Sequence, residues 1–168
     1  MNIELIQASP GDEPVLQHLL QFYQYDFSEI LGGDVDGTGR FGNISLGELW
    51  SDPRSHAFFV KVDGQLAGLA LVRQQSYFTG DASITDMDEF FIMRKYRRQG
   101  VGREVVMRLF DLFPGRWEVR EVAPNDAAQA FWRTVIGEYT GERFEERFVD
   151  DERWRGPAQS FDSREPRA

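Results

Sequence analysis

Two glycines one residue apart, Gly100 and Gly102, stand among arginines in the middle of the chain. Because glycine has no Cβ atom, a turn at these positions can bring its N–H groups close to a ligand. The positive end of a following helix can point at the same place. Arg97, Arg98 and Arg103 add positive charge around the turn. A pyrophosphate is the group that this combination suits best.

Spacing separates this turn from two other phosphate-binding turns. A P-loop requires Gly, four residues and then Gly-Lys-Ser/Thr, and the chain contains no such run. A dinucleotide-binding turn requires Gly-x-Gly-x-x-Gly/Ala directly after a first strand, whereas position 105 is Val105 and this turn lies in mid-chain. A turn that is merely tight is the other alternative. The coincidence of the basic residues with a preceding apolar strand favours a ligand.

The elements that must position the turn are predicted from hydrophobic periodicity. Their order is β, α, short α, β, β, β, α, β, α, β, with a further strand near the end. This order indicates a mixed α/β protein without internal repeats. The predicted strands are 2–7, 57–62, 66–72, 84–93, 117–122, 143–149 and 158–161, and the predicted helices are 12–30, 45–51, 101–113 and 125–137.

Two segments are predicted to lack regular structure. Residues 32–42 contain five glycines and two aspartates, Asp34 and Asp36, which predicts a mobile loop of the kind that often closes over a ligand. The segment from Arg155 on is rich in glycine, proline, serine and charge. One domain is therefore expected over 1–155, followed by a C-terminal tail over 156–168 that contains at most an edge strand.

Composition limits the chemistry. The 168 residues, 41% of them hydrophobic, suit one domain with one core. Because there is no cysteine, disulfides, thiolate metal sites and a cysteine nucleophile are excluded, and no metal ligands are assigned. A net charge of −9 disfavours nucleic acid and anionic lipid but is compatible with a cationic substrate. Without a signal peptide or a long apolar run, a cytoplasmic protein is expected.

The charge is distributed unevenly along the chain. Between Arg94 and Arg108, six basic residues accompany a single acidic residue, Glu104. This basic island predicts either a site for a small polyanion or a helix face that balances acidic neighbours.

The segment Arg97-Arg98-Gln99-Gly100-Val101-Gly102 resembles the Arg/Gln-x-x-Gly-x-Gly/Ala signature of the GNAT (N-acetyltransferase) superfamily. Downstream, Asn125, Ala128, Phe131, Trp132 and Gly137 are similar to the family's Asn-x-x-Ala-x-x-Phe-Tyr-x-x-x-x-Gly helix. The element order agrees with the family as well. The resemblance implies a mixed, mostly antiparallel sheet of six or seven strands flanked by helices. It also implies that a splayed central strand pair forms an acyl-CoA cleft, which makes 1–155 an acyl-CoA N-acyltransferase domain.

Acetyl-CoA is the co-substrate that the resemblance implies. Its pyrophosphate would bind the turn, and its pantetheine arm would enter between the strand ending at Met93 and strand 117–122. One N–H group of the first of these strands would stabilise the negative charge on the thioester oxygen. Asn125 would contact the arm or act as a helix N-cap. The cofactor-binding residues implied in this way are Phe90, Phe91, Ile92, Met93, Arg97, Arg98, Gln99, Gly100, Val101, Gly102, Arg103 and Asn125.

Direct transfer needs the attacking amine to be neutral, because an ammonium has no lone pair, and a carboxylate acting directly or through water can take its proton. Asp86, Asp88 and Glu89 begin the strand that leads to the turn. Since side chains alternate along a strand, Asp86 and Asp88 share one face and Glu89 points to the other. The resemblance selects Asp86 as the base, and Asp88 and Glu89 are the alternatives.

The general acid cannot be assigned by the same motif. Trp132 stands where the family often has a catalytic tyrosine, and an indole cannot serve as a proton source. Either no acid is needed, because a thiol with a pKa of roughly 8.5 leaves readily, or Tyr139 or Tyr96 takes this role.

The function implied is an N-acetyltransferase that delivers an acetyl group from acetyl-CoA to a primary amine of a small molecule or peptide in a ternary complex. One alternative is a catalytically weak acyl-CoA-binding regulatory module, which Trp132 alone favours. The other is a protein whose glycine turn binds some other nucleotide. No nucleic acid or membrane partner is expected, and a homodimer is compatible with the sequence.

Overall fold

The computed structural model describes residues 1–165. One short 3₁₀ turn, Pro10–Asp12, precedes the first helix, and another, Arg94–Tyr96, follows the fourth strand. In chain order the elements are β1 (Ile3–Gln7), α1 (Glu13–Leu31), β2 (Ser55–Val62), β3 (Gln65–Arg73), β4 (Ile84–Ile92), α2 (Val101–Leu112), β5 (Arg116–Arg120), α3 (Asp126–Thr140), β6 (Glu145–Asp150) and β7 (Arg155–Asp162).

The strands of this part of the chain form one seven-stranded sheet in the order β1-β2-β3-β4-β5-β7-β6. The β1–β2, β5–β7 and β6–β7 pairs are antiparallel, whereas β4 and β5 are parallel. The predicted fold class, a mixed and mostly antiparallel sheet flanked by helices, is confirmed.

The chain divides into two compact units. The first consists of Met1–Leu71 and Glu89–Gln99, and the second consists of Val72–Asp88 and the residues from Gly100 on. In the first unit, Leu16 and Leu20 of α1 are fully buried and pack into a cluster with Phe59, Leu69 and Phe91 of the strands. The 3.6-residue spacing of the apolar positions of α1 produces this buried face.

An aromatic core organises the second unit. The Phe110 ring of α2 lies 5.0 Å from Trp117 of β5, 4.8 Å from Phe161 of β7 and 5.1 Å from Tyr139 of α3, measured between ring centroids. Trp117 is fully buried, and its indole N–H donates to the Phe113 carbonyl at 2.9 Å. This core fixes α2 against β5.

The hairpin between β2 and β3 forms as predicted. Asp63 and Gly64 have φ angles of 49° and 81°, the left-handed values that a tight two-residue turn requires. In the third strand, Gly68 is required by a close approach, because a Cβ there would collide with the carbonyl oxygen of Phe91 in β4.

Two sequence predictions are wrong. The short helix at 45–51 is a series of turns, in which Leu49 N–H donates to Leu46 at 2.8 Å and Gly47 takes a φ of 45° that no α-helix accommodates. The strand in the tail is not an edge strand, because β7 lies between β5 and β6 and pairs with both. The predicted tail 156–168 thus begins inside β7, and its residues 166–168 lie outside the described part of the chain.

Among residues 1–165, no helix combines the length and the apolar character that crossing a bilayer requires.

Candidate active site

The turn before α2 ends in a helix N-terminus that no side chain caps. Gly100 is the N-cap residue, with φ of 83°, and it has no side-chain oxygen to offer. The N–H of Glu104 makes the first bond within the helix, to the Gly100 carbonyl at 3.0 Å. The N–H groups of Val101, Gly102 and Arg103 therefore have no carbonyl partner within α2. These donors, together with the helix dipole, can bind an anion.

The backbone of Gly100 and the space around it fit a phosphate group. A Cβ atom at Gly100 would meet no described atom within 4 Å, so the glycine faces open space, and its left-handed conformation favours glycine. Arg98, two residues earlier, is exposed and has a φ of 58°. The turn thus offers backbone donors and a nearby positive charge, as the pyrophosphate of an acyl-CoA requires.

Much of the basic island is neutralised by carboxylates. Arg98 and Lys95 form no ion pair within residues 1–165, and these two charges are available to an anion. The charge-balancing interpretation therefore holds for the four paired arginines, and the anion site stays a prediction for Arg98 and Lys95. The paired members form the ion pairs Arg94–Asp26, Arg97–Asp26, Arg103–Glu138 and Arg108–Glu104.

Two of the residues implied to bind cofactor use their side chains inside the turn. Arg97 donates from Nε to the Ile92 carbonyl at 2.7 Å and pairs with Asp26 of α1. The Gln99 amide donates to the Lys95 carbonyl at 2.7 Å. These side chains help to hold the turn in shape.

The β4–β5 ladder is short. Its register covers Ile84↔Arg116, Thr85↔Trp117 and Asp86↔Glu118, although β4 continues to Ile92 and β5 to Arg120. A ladder that ends after three pairs is what a splayed strand pair requires.

Beyond the ladder, β4 carries three of the four residues implied to line the pantetheine arm, and the fourth, Met93, directly follows the strand. The side chains of Phe91 and Ile92 are buried in the core, and Phe90 is half-buried. The Met93 N–H donates to the Ala67 carbonyl at 2.8 Å, so this group is already used within the first unit.

Asp86 and Asp88 share one guanidinium, that of Arg120 at the end of β5. Arg120 donates to Asp86 at 2.5 Å and to Asp88 at 3.3 Å, which agrees with the prediction that both carboxylates lie on one face. Asp86 is only 2% exposed, whereas the Asp88 side chain is 45% exposed. Burial raises the pKa of Asp86 to about 6, against the opposing effect of Arg120. A carboxylate with a pKa near neutrality is suited to act as a general base.

Glu89 belongs to the first unit. It accepts a hydrogen bond from the Tyr23 hydroxyl of α1. Tyr23 also packs edge-on against Phe91, two residues along the same face of β4, with ring centroids 5.7 Å apart. These contacts hold Glu89 within the first unit, whereas Asp86 and Asp88 belong to the second.

The Tyr139 hydroxyl is engaged in hydrogen bonds within the second unit. It donates to Asp111 at 2.6 Å and contacts the Ser163 carbonyl at 3.2 Å. Burial, supported by Asp111, raises the pKa of Tyr139 well above its usual range. Its ring packs on Phe110, which covers the Trp117 face of β5, while Arg120 points to the other face. The structure thus places Tyr139 and Asp86 on opposite sides of the sheet and does not support Tyr139 as the acid.

The remaining residues of the second motif pack or cap. Trp132 is 6% exposed, and its ring lies 5.2 Å from that of Phe131, so it is part of the core. The Asn125 side chain accepts from the Ala128 N–H at 3.1 Å and caps α3.

The predicted loop at 32–42 forms no helix or strand and is tied to α1 at its end. Gln21 exchanges two hydrogen bonds of 2.9 Å with the backbone of Phe41. The Asp36 carboxylate accepts from the N–H of Thr38 at 2.8 Å, so this aspartate is engaged inside the loop. Its mobility stays a prediction.

Arg120 is the residue that sequence reasoning missed. The available signal was its alternation with Glu118, which puts two charged side chains on one face of a strand next to the acidic strand β4.

Known structures share this architecture at low sequence identity. An acetyltransferase from Thermus thermophilus aligns with a TM-score of 0.69 and 18% identity, covering 96% of this chain and 97% of the other. PaiA N-acetyltransferase from Thermoplasma acidophilum, in complex with coenzyme A, aligns with a TM-score of 0.66 and 10% identity, covering 96% of this chain and 99% of the other. The ribosomal-protein-S18-alanine N-acetyltransferase from Escherichia coli aligns with a TM-score of 0.59 and 15% identity, covering 95% of this chain and 91% of the other.

No curated protein matches the chain in sequence. The model of the acetyltransferase (GNAT) family, however, matches residues 15–137, which include both motifs, the carboxylates of β4 and the uncapped turn. This chain therefore belongs to the GNAT acetyltransferase family.

Proposed function

We propose that this protein transfers an acetyl group from acetyl-CoA to a primary amine by direct attack in a ternary complex. The observation that carries the proposal is the N-terminus of α2, where three N–H groups without helical partners follow a left-handed glycine. Membership of an acetyltransferase family supports acetyl transfer as the reaction.

The N–H groups of Val101, Gly102 and Arg103 would hold the pyrophosphate, and Arg98 would add charge. Acetyl-CoA supplies the acyl group as a thioester, whose thiol has a pKa of roughly 8.5 and is a tolerable leaving group near neutral pH. A separate acid is then unnecessary, which is consistent with Trp132 in the core and with the hydrogen-bonded hydroxyl of Tyr139.

Asp86 is the proposed proton acceptor. With a pKa of about 6, roughly nine-tenths of Asp86 is ionised at pH 7. The amine arrives as an ammonium and loses one proton to this carboxylate, which frees its lone pair for attack. Because Asp86 is buried and Asp88 is exposed on the same face, the proton passes to Asp86 from the side of Asp88, through water.

The charge around Asp86 favours a cationic acceptor. Asp86, Asp88 and Glu118 lie around the guanidinium of Arg120, so three carboxylates accompany one positive charge at this point. Structural neighbours are named for a ribosomal-protein alanine, for spermidine and for nourseothricin, and the fold therefore does not determine the acceptor.

Gly102→Val tests the cofactor assignment. The new side chain would occupy the space where the pyrophosphate approaches the helix N-terminus, so acetyl-CoA affinity in calorimetry should fall by at least about 10-fold. Gly11→Val is the matched control, because a Cβ at Gly11 meets nothing within 4 Å and lies outside α2. Unchanged affinity in a folded Gly102→Val protein contradicts the proposal.

A panel of amines with acetyl-CoA tests the reaction itself, with release of free thiol as the signal. Transfer predicts thiol release that requires an amine. Tight binding of acetyl-CoA without thiol release from any amine would identify a regulatory module. If ATP or NAD but not acetyl-CoA raises the temperature of thermal unfolding, the protein binds another nucleotide instead.

A further inference from the structure

The guanidinium of Arg120 is held on one side by two carboxylates. It donates from Nη1 to Asp86 at 2.5 Å and from Nη2 to Asp88 at 3.3 Å. The side chains of Arg120 and Asp86 are 8% and 3% exposed, so the first contact is a buried ion pair. The second contact reaches a carboxylate that faces solvent.

Two aromatic rings hold the other side of the same guanidinium. Its central carbon lies 3.9 Å from the ring centroid of Tyr77 and 5.0 Å from that of Trp154. The rings are themselves fixed, since the Tyr77 hydroxyl donates to the Arg153 carbonyl at 2.8 Å and the Trp154 indole donates to the Glu121 carbonyl at 3.1 Å. A planar cation between fixed rings and fixed carboxylates has little freedom to turn.

We propose that Arg120 is a positioning residue for acetyl transfer, which holds Asp86 and Asp88 side by side on β4 for proton transfer from the amine. The proposal rests on the proposed function, because it requires Asp86 to receive the proton. A purely structural ion pair would not require the second, exposed carboxylate. The shared guanidinium links the buried acceptor to the carboxylate that an incoming amine meets first.

The charges around Asp86 explain why a positioning cation is needed. Arg120 and Glu118 face Asp86 from β5, and Asp88 lies two residues along β4. Glu118 accepts a hydrogen bond of 2.6 Å from Ser76 and adds a like charge. Burial is the largest influence raising the pKa of Asp86, and the two neighbouring carboxylates act in the same direction. Arg120 opposes them, so without it Asp86 would hold a proton at neutral pH and could not accept another.

Arg120→Gln and Arg120→Lys test this role, with Arg116→Gln as a matched control. Arg116 lies on the same face of β5 and pairs with Asp81 at 3.0 Å, where both side chains are about half exposed. Two quantities are measured from pH 5 to 9: kcat/KM for an amine acceptor, and the titration of Asp86 by ¹³C NMR of labelled aspartate, assigned with Asp86→Asn.

Arg120→Gln should move the acidic limb of kcat/KM and the Asp86 titration upward by at least about one pH unit. Turnover at pH 7 should fall by at least about 2-fold, the loss that a one-unit shift from a pKa of about 6 gives, and should recover at higher pH, while acetyl-CoA affinity changes by less than about 2-fold. Arg120→Lys, which keeps a charge but loses the planar fork, should shift both curves by a smaller amount. Both curves of Arg116→Gln should coincide with those of the unmodified protein.

An equal loss of kcat/KM at every pH, with Asp86 titrating as before, would show that Arg120 has only a structural role and would overturn the proposal. Arg120→Gln should fold, because Asp86 can take a proton and stay neutral. Should it not fold, absence of any shift in Arg120→Lys decides against the proposal. If the unmodified protein releases no thiol with any amine, the proposed function fails, and the NMR titration still shows whether Arg120 controls the charge of Asp86.

Discussion

A buried carboxylic acid in the second unit makes stability depend on pH in a way that Glu121→Gln can remove. Glu121 is 4% exposed and accepts a hydrogen bond of 2.9 Å from the Gln159 amide. Burial raises the pKa of Glu121 to about 8. Within residues 1–165, Glu121 Oε2 and Gln159 Oε1 are buried acceptors without a hydrogen-bond donor. A proton on Glu121 supplies a donor to this pair, whereas an ionised Glu121 supplies none.

The sign and size of the effect follow from the two pKa values of Glu121. The folded value of about 8 lies above the ordinary value of 4.5, so between them the folded protein binds one more proton than the unfolded chain. The stabilising contribution is complete below pH 4.5 and is lost as pH rises through 8. At about 1.4 kcal/mol per pH unit, the loss from pH 5 to pH 8 is about 4 kcal/mol. Typical domains have only about 5–15 kcal/mol in total.

Urea unfolding at pH 5, 6.5 and 8 measures this difference. A glutamine side chain at position 121 does not titrate, so Glu121→Gln should gain stability relative to the unmodified protein by about 4 kcal/mol between pH 5 and pH 8. Contributions from other groups, such as Asp86, are shared by the two proteins and cancel. Glu145→Gln, at an exposed position of β6, is the control and should show no such gain. Parallel stability curves for the unmodified protein and Glu121→Gln would refute a neutral Glu121.

Asp86→Asn should reduce turnover at pH 7 by about 100-fold in steady-state kinetics, with partial rescue at higher pH and unchanged acetyl-CoA affinity. If Asp88→Asn or Glu89→Gln shows this pattern instead, that residue is the base. Arg98→Ala should weaken acetyl-CoA binding by about 10-fold and reduce its dependence on salt in calorimetry, and an unchanged salt dependence would contradict a contact with phosphate. Deleting Gly33–Gly39 should raise the KM for an identified amine acceptor, and an unchanged KM would make the loop a linker.

Local patterns were sufficient to predict the glycine turn and the helix that follows it. The apolar spacing of α2 and the glycines before it act within about one helical turn, so a short stretch of sequence contains the whole cause. The β2–β3 hairpin is equally local, because Asp63 and Gly64 alone provide its left-handed turn.

Elements that depend on distant partners could not be predicted in the same way. β7 begins with an arginine, a glycine and a proline and resembles a loose tail, yet it is inserted between β5 and β6, whose residues complete its hydrogen bonds. Gln159, in the middle of β7, is fully buried although glutamine usually marks a surface. Its burial depends on the hydrogen bonds to Glu121 and Glu146, which lie in other parts of the chain.

The same distinction applies to the proposed base, Asp86. Alternation along β4 places Asp86 and Asp88 on one face, and this much follows from the sequence. The pKa that makes Asp86 useful depends instead on its burial and on a guanidinium 34 residues away. That guanidinium is in turn fixed by Tyr77 and Trp154, which belong to two different loops. Residue type and spacing can therefore nominate a carboxylate, but the proton affinity that selects one is a property of the folded arrangement.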